Sequence, residues 1–334
     1  STTATTQTDM LNEKFTKNKK PARQKSNRRP EPTATRGALR KRKAELKVST
    51  IDVGAGAAGF DPLDLPGCYF WFRADQISGP SDGDNITSGH TVSNEGGSGG
   101  FVHSSTSSEQ PTYTASAINS KPAITFDGTS ELLKLSTEYD VGGACNMFDE
   151  DFGSDFTVMI VCRPHDVSDN SQRIFGLYSL TDFALTSSAN ERNHLWMGIK
   201  SASKFSICGK HTGTDIVTAA SAISDNEAHI FTAVYDQSET EMFLFQDGHL
   251  SASDSSFEMG NGSGVSGNTK LSMGAFGVVS RGSISYEDKF DGDIAEILIY
   301  DRKMSERNLT NLHHYLGKKY GINTKSGAKS ISRY

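Results

Sequence analysis

The chain has 334 residues and a formal net charge of −6, enough for one large two-sheet domain or two smaller ones. No apolar run approaches the ~20 residues that a bilayer-crossing helix needs, which excludes a helical span. The mild total hides a split: residues 1–49 carry 14 Lys/Arg against 4 Asp/Glu, a net +10, which leaves −16 on residues 50–334.

Residues 1–49 read as a basic, extended arm. Their only large apolar side chains are Met10, Leu11, Phe15, Leu39 and Leu46, too few to offset chain entropy. One basic cluster holds Lys17, Lys19, Lys20, Arg23, Lys25, Arg28 and Arg29; the second is Arg40, Lys41, Arg42 and Lys43. Each such side chain that neutralises a phosphate releases a counterion, so salt-dependent docking on a polyanion or a neighbouring subunit is expected. Only Phe15 interleaves, so base stacking is not expected. The same bipartite pattern also suits a nuclear localisation signal. The opening STTATTQTDMLNEKF has no apolar h-region, and no secretory leader is expected there. Residues 50–66 form a Gly/Pro linker.

Residues 67–322 change to short β-type runs: 69–72, 123–126, 156–162, 173–178, 194–199, 204–208, 228–235, 241–246 and 293–300 are rich in β-branched and aromatic residues. The 32 glycines add to the expectation of many turns. Asp247-Gly248 predicts a type I′ hairpin, because both turn positions need positive φ. Ile294, Ile297 and Ile299 do not alternate cleanly, which predicts a strand buried on much of both faces. One helix is signalled after Ser305, its N-cap, with Met304 and Leu309 as a hydrophobic staple. Leu309, Leu312, Leu316 and Tyr320 give its apolar stripe, and Gly321 its end. Residues 78–100 and 251–270 are expected to be long surface loops. The remainder, 323–334, is a polar, basic tail. Many short strands at even spacing imply an all-β, antiparallel two-sheet sandwich.

Four segments then resemble, in order, the laminin-G-like branch of the concanavalin A-like lectin/glucanase superfamily: GCYFWFRADQ (67–76), KPAITFDGTSELLKL (121–135), the hairpin of 229–253 with its turn Gly248, and FDGDIAEILIYDRKMSERNLTNLHHYLGKKYGI (290–322). The resemblance implies a jelly-roll sandwich with one C-terminal helix. It does not cover residues 1–66.

Fold alone leaves function open. A glycosidase needs two carboxylates flanking the scissile bond, and the Glu-x-Asp-x-x-Glu string of the related glucanases is absent, so no catalytic residues are assigned and an enzyme is not expected. Asp149, Glu150, Asp151 and Asp155 read as a solvated loop. Trp71 and Trp196 lie in apolar strands and read as packing residues rather than sugar platforms. Calcium is the one cofactor for which loops offer oxygen ligands: Asp82, Asp84 and Asn85, or Asp166, Asp169 and Asn170. Neither set has an EF-hand pattern, so turn formation is the expected role. His313 and His314, adjacent on a helix, diverge by ~100°. Cys68, Cys145, Cys162 and Cys208 are too scattered for a disulfide framework or metal knuckle, and Cys162 and Cys208 read as buried.

Three functions are ranked. A basic arm on a single sandwich is the layout of a virion structural protein, localised to the particle, whose arm meets genome or other virion proteins. The alternative is a carbohydrate-binding or adhesive module of a cell surface with a glycan partner. A glucanase-like hydrolase comes third.

Overall fold

The computed structural model describes residues 60–324, apart from 88, 91, 97–101, 104–105, 136–154, 170, 180–193, 210–214, 258, 260–268 and 281–282. The arm with both basic clusters, the linker up to residue 59, Cys145, the acidic run 149–151, Asn170 and the tail beyond Thr324 lie outside the described residues.

In chain order the strands are β1 (Cys68–Arg73), β2 (Val102–His103), β3 (Thr112–Ile118), β4 (Lys121–Asp127), β5 (Leu133–Leu135), β6 (Phe156–Pro164), β7 (Ser171–Ser179), β8 (His194–Lys200), β9 (Lys204–Cys208) and β10 (Ile216–Ala222). They continue as β11 (His229–Asp236), β12 (Glu241–Gln246), β13 (His249–Asp254), β14 (Thr269–Met273), β15 (Phe276–Ser280), β16 (Ser283–Glu287) and β17 (Asp291–Tyr300), before helix α1 (Glu306–Tyr320). One antiparallel sheet runs β13-β12-β11-β6-β17-β4-β3, with β1 also paired to β17; the second runs β10-β9-β8-β7-β14-β5-β2. The two sheets form the expected sandwich. The pair β15-β16 stands apart.

Alternation along β6 sorts its side chains into two cores. Phe156, Val158, Ile160 and Cys162 face the second sheet within the main cluster. Met159 and Val161 face α1 instead. Phe205 of β9 and Phe231 of β11 stack across the sandwich, their centroids 3.7 Å apart. Each such buried aromatic contributes roughly 1.5–3 kcal/mol.

The irregular isoleucines of β17 have a local cause. A bulge between Ile294 and Glu296 shifts its register against β6. Ile294 and Ile297 therefore both enter the main core, while Ala295 faces the helix. Bulges re-aim side chains, and the residue re-aimed here is Glu296. As expected, β17 is buried along nearly its whole length.

The Asp247-Gly248 hairpin is also present: φ is 51° at Asp247 and 79° at Gly248. The helix begins at the expected cap, where the Ser305 side chain accepts from the Asn308 amide, and ends at a left-handed Gly321 with φ 67°. Met304, Leu309, Leu312, Leu316 and Tyr320 pack together on the sheet.

Three stretches differ from expectation. Within 78–100, Ile86 and Val92 reach the main core, so the segment is pinned at two points rather than lying loosely on the surface. In 251–270, the first four residues belong to β13, and Phe257 and Met259 are core residues. Finally, Phe60–Pro66, the end of the stretch read as linker, is folded: Asp61 caps a 3-10 turn over Pro62–Asp64, Phe60 and Leu65 pack against the helix-side core, and the Tyr300 hydroxyl donates to the Pro62 carbonyl.

Candidate functional site

The deepest carboxylates sit on the helix-side face of the first sheet. Glu296 is 1% exposed. Its Oε1 accepts from Trp71 Nε1 at 2.7 Å and from the Tyr315 hydroxyl at 3.3 Å. Its Oε2 accepts from the Tyr320 hydroxyl at 2.8 Å and from Lys319 Nζ at 2.8 Å. Lys319 also reaches Asp75 Oδ2 at 3.1 Å. Burial, with the Glu296 charge beside them, pushes both tyrosine hydroxyls far up in pKa, so they remain donors. This cluster fastens α1 to β17 and β1.

Asp293, also 1% exposed, forms a second centre. Arg163 donates to its Oδ2 from Nε at 2.8 Å, with Nη2 2.6 Å away. His165 Nε2 lies 3.0 Å from the same oxygen, and the Thr125 hydroxyl donates to Oδ1 at 2.6 Å. Burial would raise the Asp293 pKa, but the bonds from His165 and Thr125 and the nearby cations outweigh it and hold it below the usual carboxylate value. The bond to Asp293 raises the His165 pKa in turn, against its own burial. Every oxygen of these two acids is occupied, so neither is presented to a substrate.

His313 lies beneath the helix, where its Nε2 is 2.9 Å from the Thr232 hydroxyl; its neighbour His314 is exposed, as their divergence required. Burial lowers the His313 pKa to about 4, below the usual ~6.5 of the unfolded chain. The native state thus binds fewer protons than the unfolded state between those values. Stability is lost as pH falls from about 6.5 towards 4, by up to about 3 kcal/mol. Denaturant titrations from pH 7 to 4 are expected to show a shallower acid limb for His313→Gln than for the parent; parallel limbs would refute this.

An open cleft of about 420 Å³ lies beside the Asp293 centre, at the C-terminal end of α1. The turn after β3 brings Asn119, the end of β6 Arg163, and the approach to β11 Asn226 and Glu227. The β12-β13 turn adds Asp247, and the segment after α1 adds Gly321, Ile322 and Asn323, while Ala117, Ile118 and Tyr320 supply apolar wall. Positive φ at Asn119 (48°), Asn226 (61°) and Asp247 (51°) marks three of these as turn residues. Gly321 permits the close approach, since a Cβ there would lie 2.9 Å from Asn119 Cγ. Asp247 is anchored: Oδ1 accepts from the Ile230 amide at 2.8 Å, and Oδ2 lies 2.8 Å from His229 Nδ1. Glu227 is 59% exposed at its side chain, and its carboxylate lies 3.8 Å from His229 Nε2. Amides and carboxylates over a small apolar wall suit a hydroxyl-rich molecule, and the volume lies within the range of small-ligand sites.

Other residues singled out in the sequence have structural roles. Asp82 Oδ1 accepts from the Ala115 amide, and Asp84 Oδ2 from the Ser81 amide. Asp166 and Asp169 accept from the Ser168 and Ser171 amides. These carboxylates hold turns, and among the described residues no group of three or more His, Cys, Asp or Glu is placed to hold a metal. Asp155 accepts from the Gln237 amide. Trp71 is packed under α1. Trp196 is buried outside the main core, with Cys208 and Phe276, and the Arg173 guanidinium covers its ring at 3.7 Å. Burial pushes the Cys68 thiol up to about 12, which keeps it protonated and unreactive.

Two packed antiparallel sheets with a helix across one outer face define a lectin-type jelly roll. A laminin-G-type family model of the concanavalin A-like lectin/glucanases superfamily matches residues 141–310, and the chain belongs to that superfamily. Similar solved structures include the IT-sialidase CBM40 of Ruminococcus gnavus bound to α2,3-sialyllactose, at 18% identity and TM-score 0.41 over 56% of this chain and 93% of that one. Domain 4 of AbnA, a GH43 extracellular arabinanase from Geobacillus stearothermophilus, in complex with arabinotriose, gives 12% identity and TM-score 0.42 over 74% and 98%. The botulinum neurotoxin serotype C1 binding domain gives 11% and 0.46 over 75% and 52%. No curated protein sequence matches.

Proposed function

We propose that the chain is a non-catalytic carbohydrate-binding protein whose ligand occupies the cleft at the end of α1. The observation that carries this reading is the lining: three asparagines and two carboxylates beside apolar wall, the mixture of donors and acceptors that sugar hydroxyls require. Glu296 and Asp293 are fully engaged in structural bonds, which speaks against a hydrolytic role for either. The test is a glycan array with the full chain, followed by Asn226→Ala and Asn323→Ala. Binding is expected to fall about tenfold for each, as for a hydrogen-bonded group left without its partner. A blank array, or binding indifferent to both substitutions, would overturn the assignment.

A second reading rests on a different observation, the +10 carried by residues 1–49. Here the sandwich belongs to a virion and Lys17–Arg29 and Arg40–Lys43 dock it on genome or on another subunit. Binding of the full chain to a nucleic-acid duplex should then weaken steeply from 50 to 200 mM salt, and deletion of residues 1–49 should abolish it. A salt-independent interaction, or assembly unaffected by the deletion, would count against the arm.

A further inference from the structure

We infer that the cleft selects an amine-bearing sugar and that Glu227 reads the charge; this rests on the carbohydrate reading above. The argument is electrostatic. Arg163, the cation lining the cleft, donates from Nε to Asp293, with Nη2 also beside it, so its charge is matched before any ligand arrives. Asp247 spends one oxygen on a backbone amide and the other on His229, yet keeps its negative charge in the wall. Glu227 adds a second negative charge and is far less engaged, with its contact to His229 at 3.8 Å. That imidazole is buried, and its Nε2 has no hydrogen-bond partner. Helix α1 also ends at the cleft, and a helix C-terminus carries partial negative charge within its last turn. Lys319, in that turn, is turned away into the Glu296–Asp75 cluster, whereas Lys318 is solvent-exposed and is not part of the lining.

The cleft therefore offers acceptors, a net negative field and one carboxylate open to a new partner. A ring hydroxyl can bond the asparagines, and a protonated amine on the same ring can donate to Glu227 in a charge-assisted bond. An acidic sugar would instead bring a carboxylate towards Glu227 and Asp247.

Calorimetric titration of the full chain at 0.15 M salt tests this with three probes: a glucosamine trimer, its N-acetylated counterpart and a galacturonic acid trimer. The amine form is expected to bind about tenfold tighter than the acetylated form, and the uronate weakest. Glu227→Gln should erase the preference, weakening the amine form about tenfold more than the acetylated form. Asp64→Asn, an exposed acid outside the cleft, should leave the preference intact. Equal binding of all three, tighter uronate binding, or equal loss in both variants would overturn the inference and leave the carbohydrate reading standing. Array binding by neutral glycans alone would do the same. A blank array removes the carbohydrate reading itself.

Discussion

Glu296→Ala is expected to cost about 3–5 kcal/mol of unfolding free energy, the usual result of breaking a buried ion pair by removing one partner. At about 2–4 °C per kcal/mol for a domain of this size, the melting temperature should fall by roughly 6–20 °C. The size of the effect follows from what is left behind. Trp71 Nε1, two tyrosine hydroxyls and the Lys319 ammonium all converge on this one carboxylate. Without it, the lysine keeps only Asp75 as an anionic partner, and three neutral donors lose their acceptor. Glu296→Gln fills the space but points N–H groups at donors, so an intermediate loss is expected. Denaturant titration with circular dichroism measures all three proteins. A change below about 1 kcal/mol in Glu296→Ala would show that the cluster adds nothing beyond packing.

The second large effect belongs to Asp293→Ala, at about 2–3 kcal/mol. The value is discounted from the fully buried case because Arg163 and His165 are each 29% exposed at the side chain and water screens them. The sign of its pH dependence follows from two opposed shifts. Asp293 has a lowered native pKa, so its contribution is present above the unfolded value and is lost as pH falls through the native one. His165 has a raised native pKa, so its contribution is present below about 6.5 and is lost as pH rises through the native value. The stability gap between parent and variant should therefore be widest in the mildly acidic window between those limits. A gap that keeps widening above neutrality would contradict the His165 assignment. The same substitution unmatches the Arg163 charge at the cleft, so any preference for an amine ligand should shrink.

Local structure is legible in this sequence wherever short-range chemistry decides it. Ser305, Gly321 and the Asp247-Gly248 pair each specify a backbone state with their own side chains or lack of one, and the structure follows them. The strands β3 (TYTASAI) and β10 (IVTAASA) are harder to see, because their Thr, Ser and Ala residues carry little hydrophobic signal and part of each is exposed. Ile86 and Val92 are isolated apolar residues in a polar stretch, and only the tertiary fold shows that they are core anchors. The cleft is illegible for a different reason. Asn119, Arg163, Asn226, Asp247 and Asn323 lie in five separate segments, brought together because β3, β6, β11 and β12 share one sheet. Each reads locally as a turn residue or a strand end. The structural role of Glu296 is not legible locally because a bulge, which the uneven isoleucines hinted at, decides which way it points.

The position of β17 sets a timetable for the nascent chain. This strand, second to last among the described elements, pairs with β6 along one edge and with both β4 and β1 along the other. The ribosome must therefore deliver residues 291–300 before the halves of the larger sheet can join. Until then β6 on one side, and β4 and β1 on the other, present bare hydrogen-bonding edges, the kind that invite pairing with foreign strands. Such long-range closure is intrinsically slow. A translating polysome stalled upstream of Asp291 would hold a chain rich in finished hairpins yet unable to close, and this interval is when a holding chaperone has most to protect.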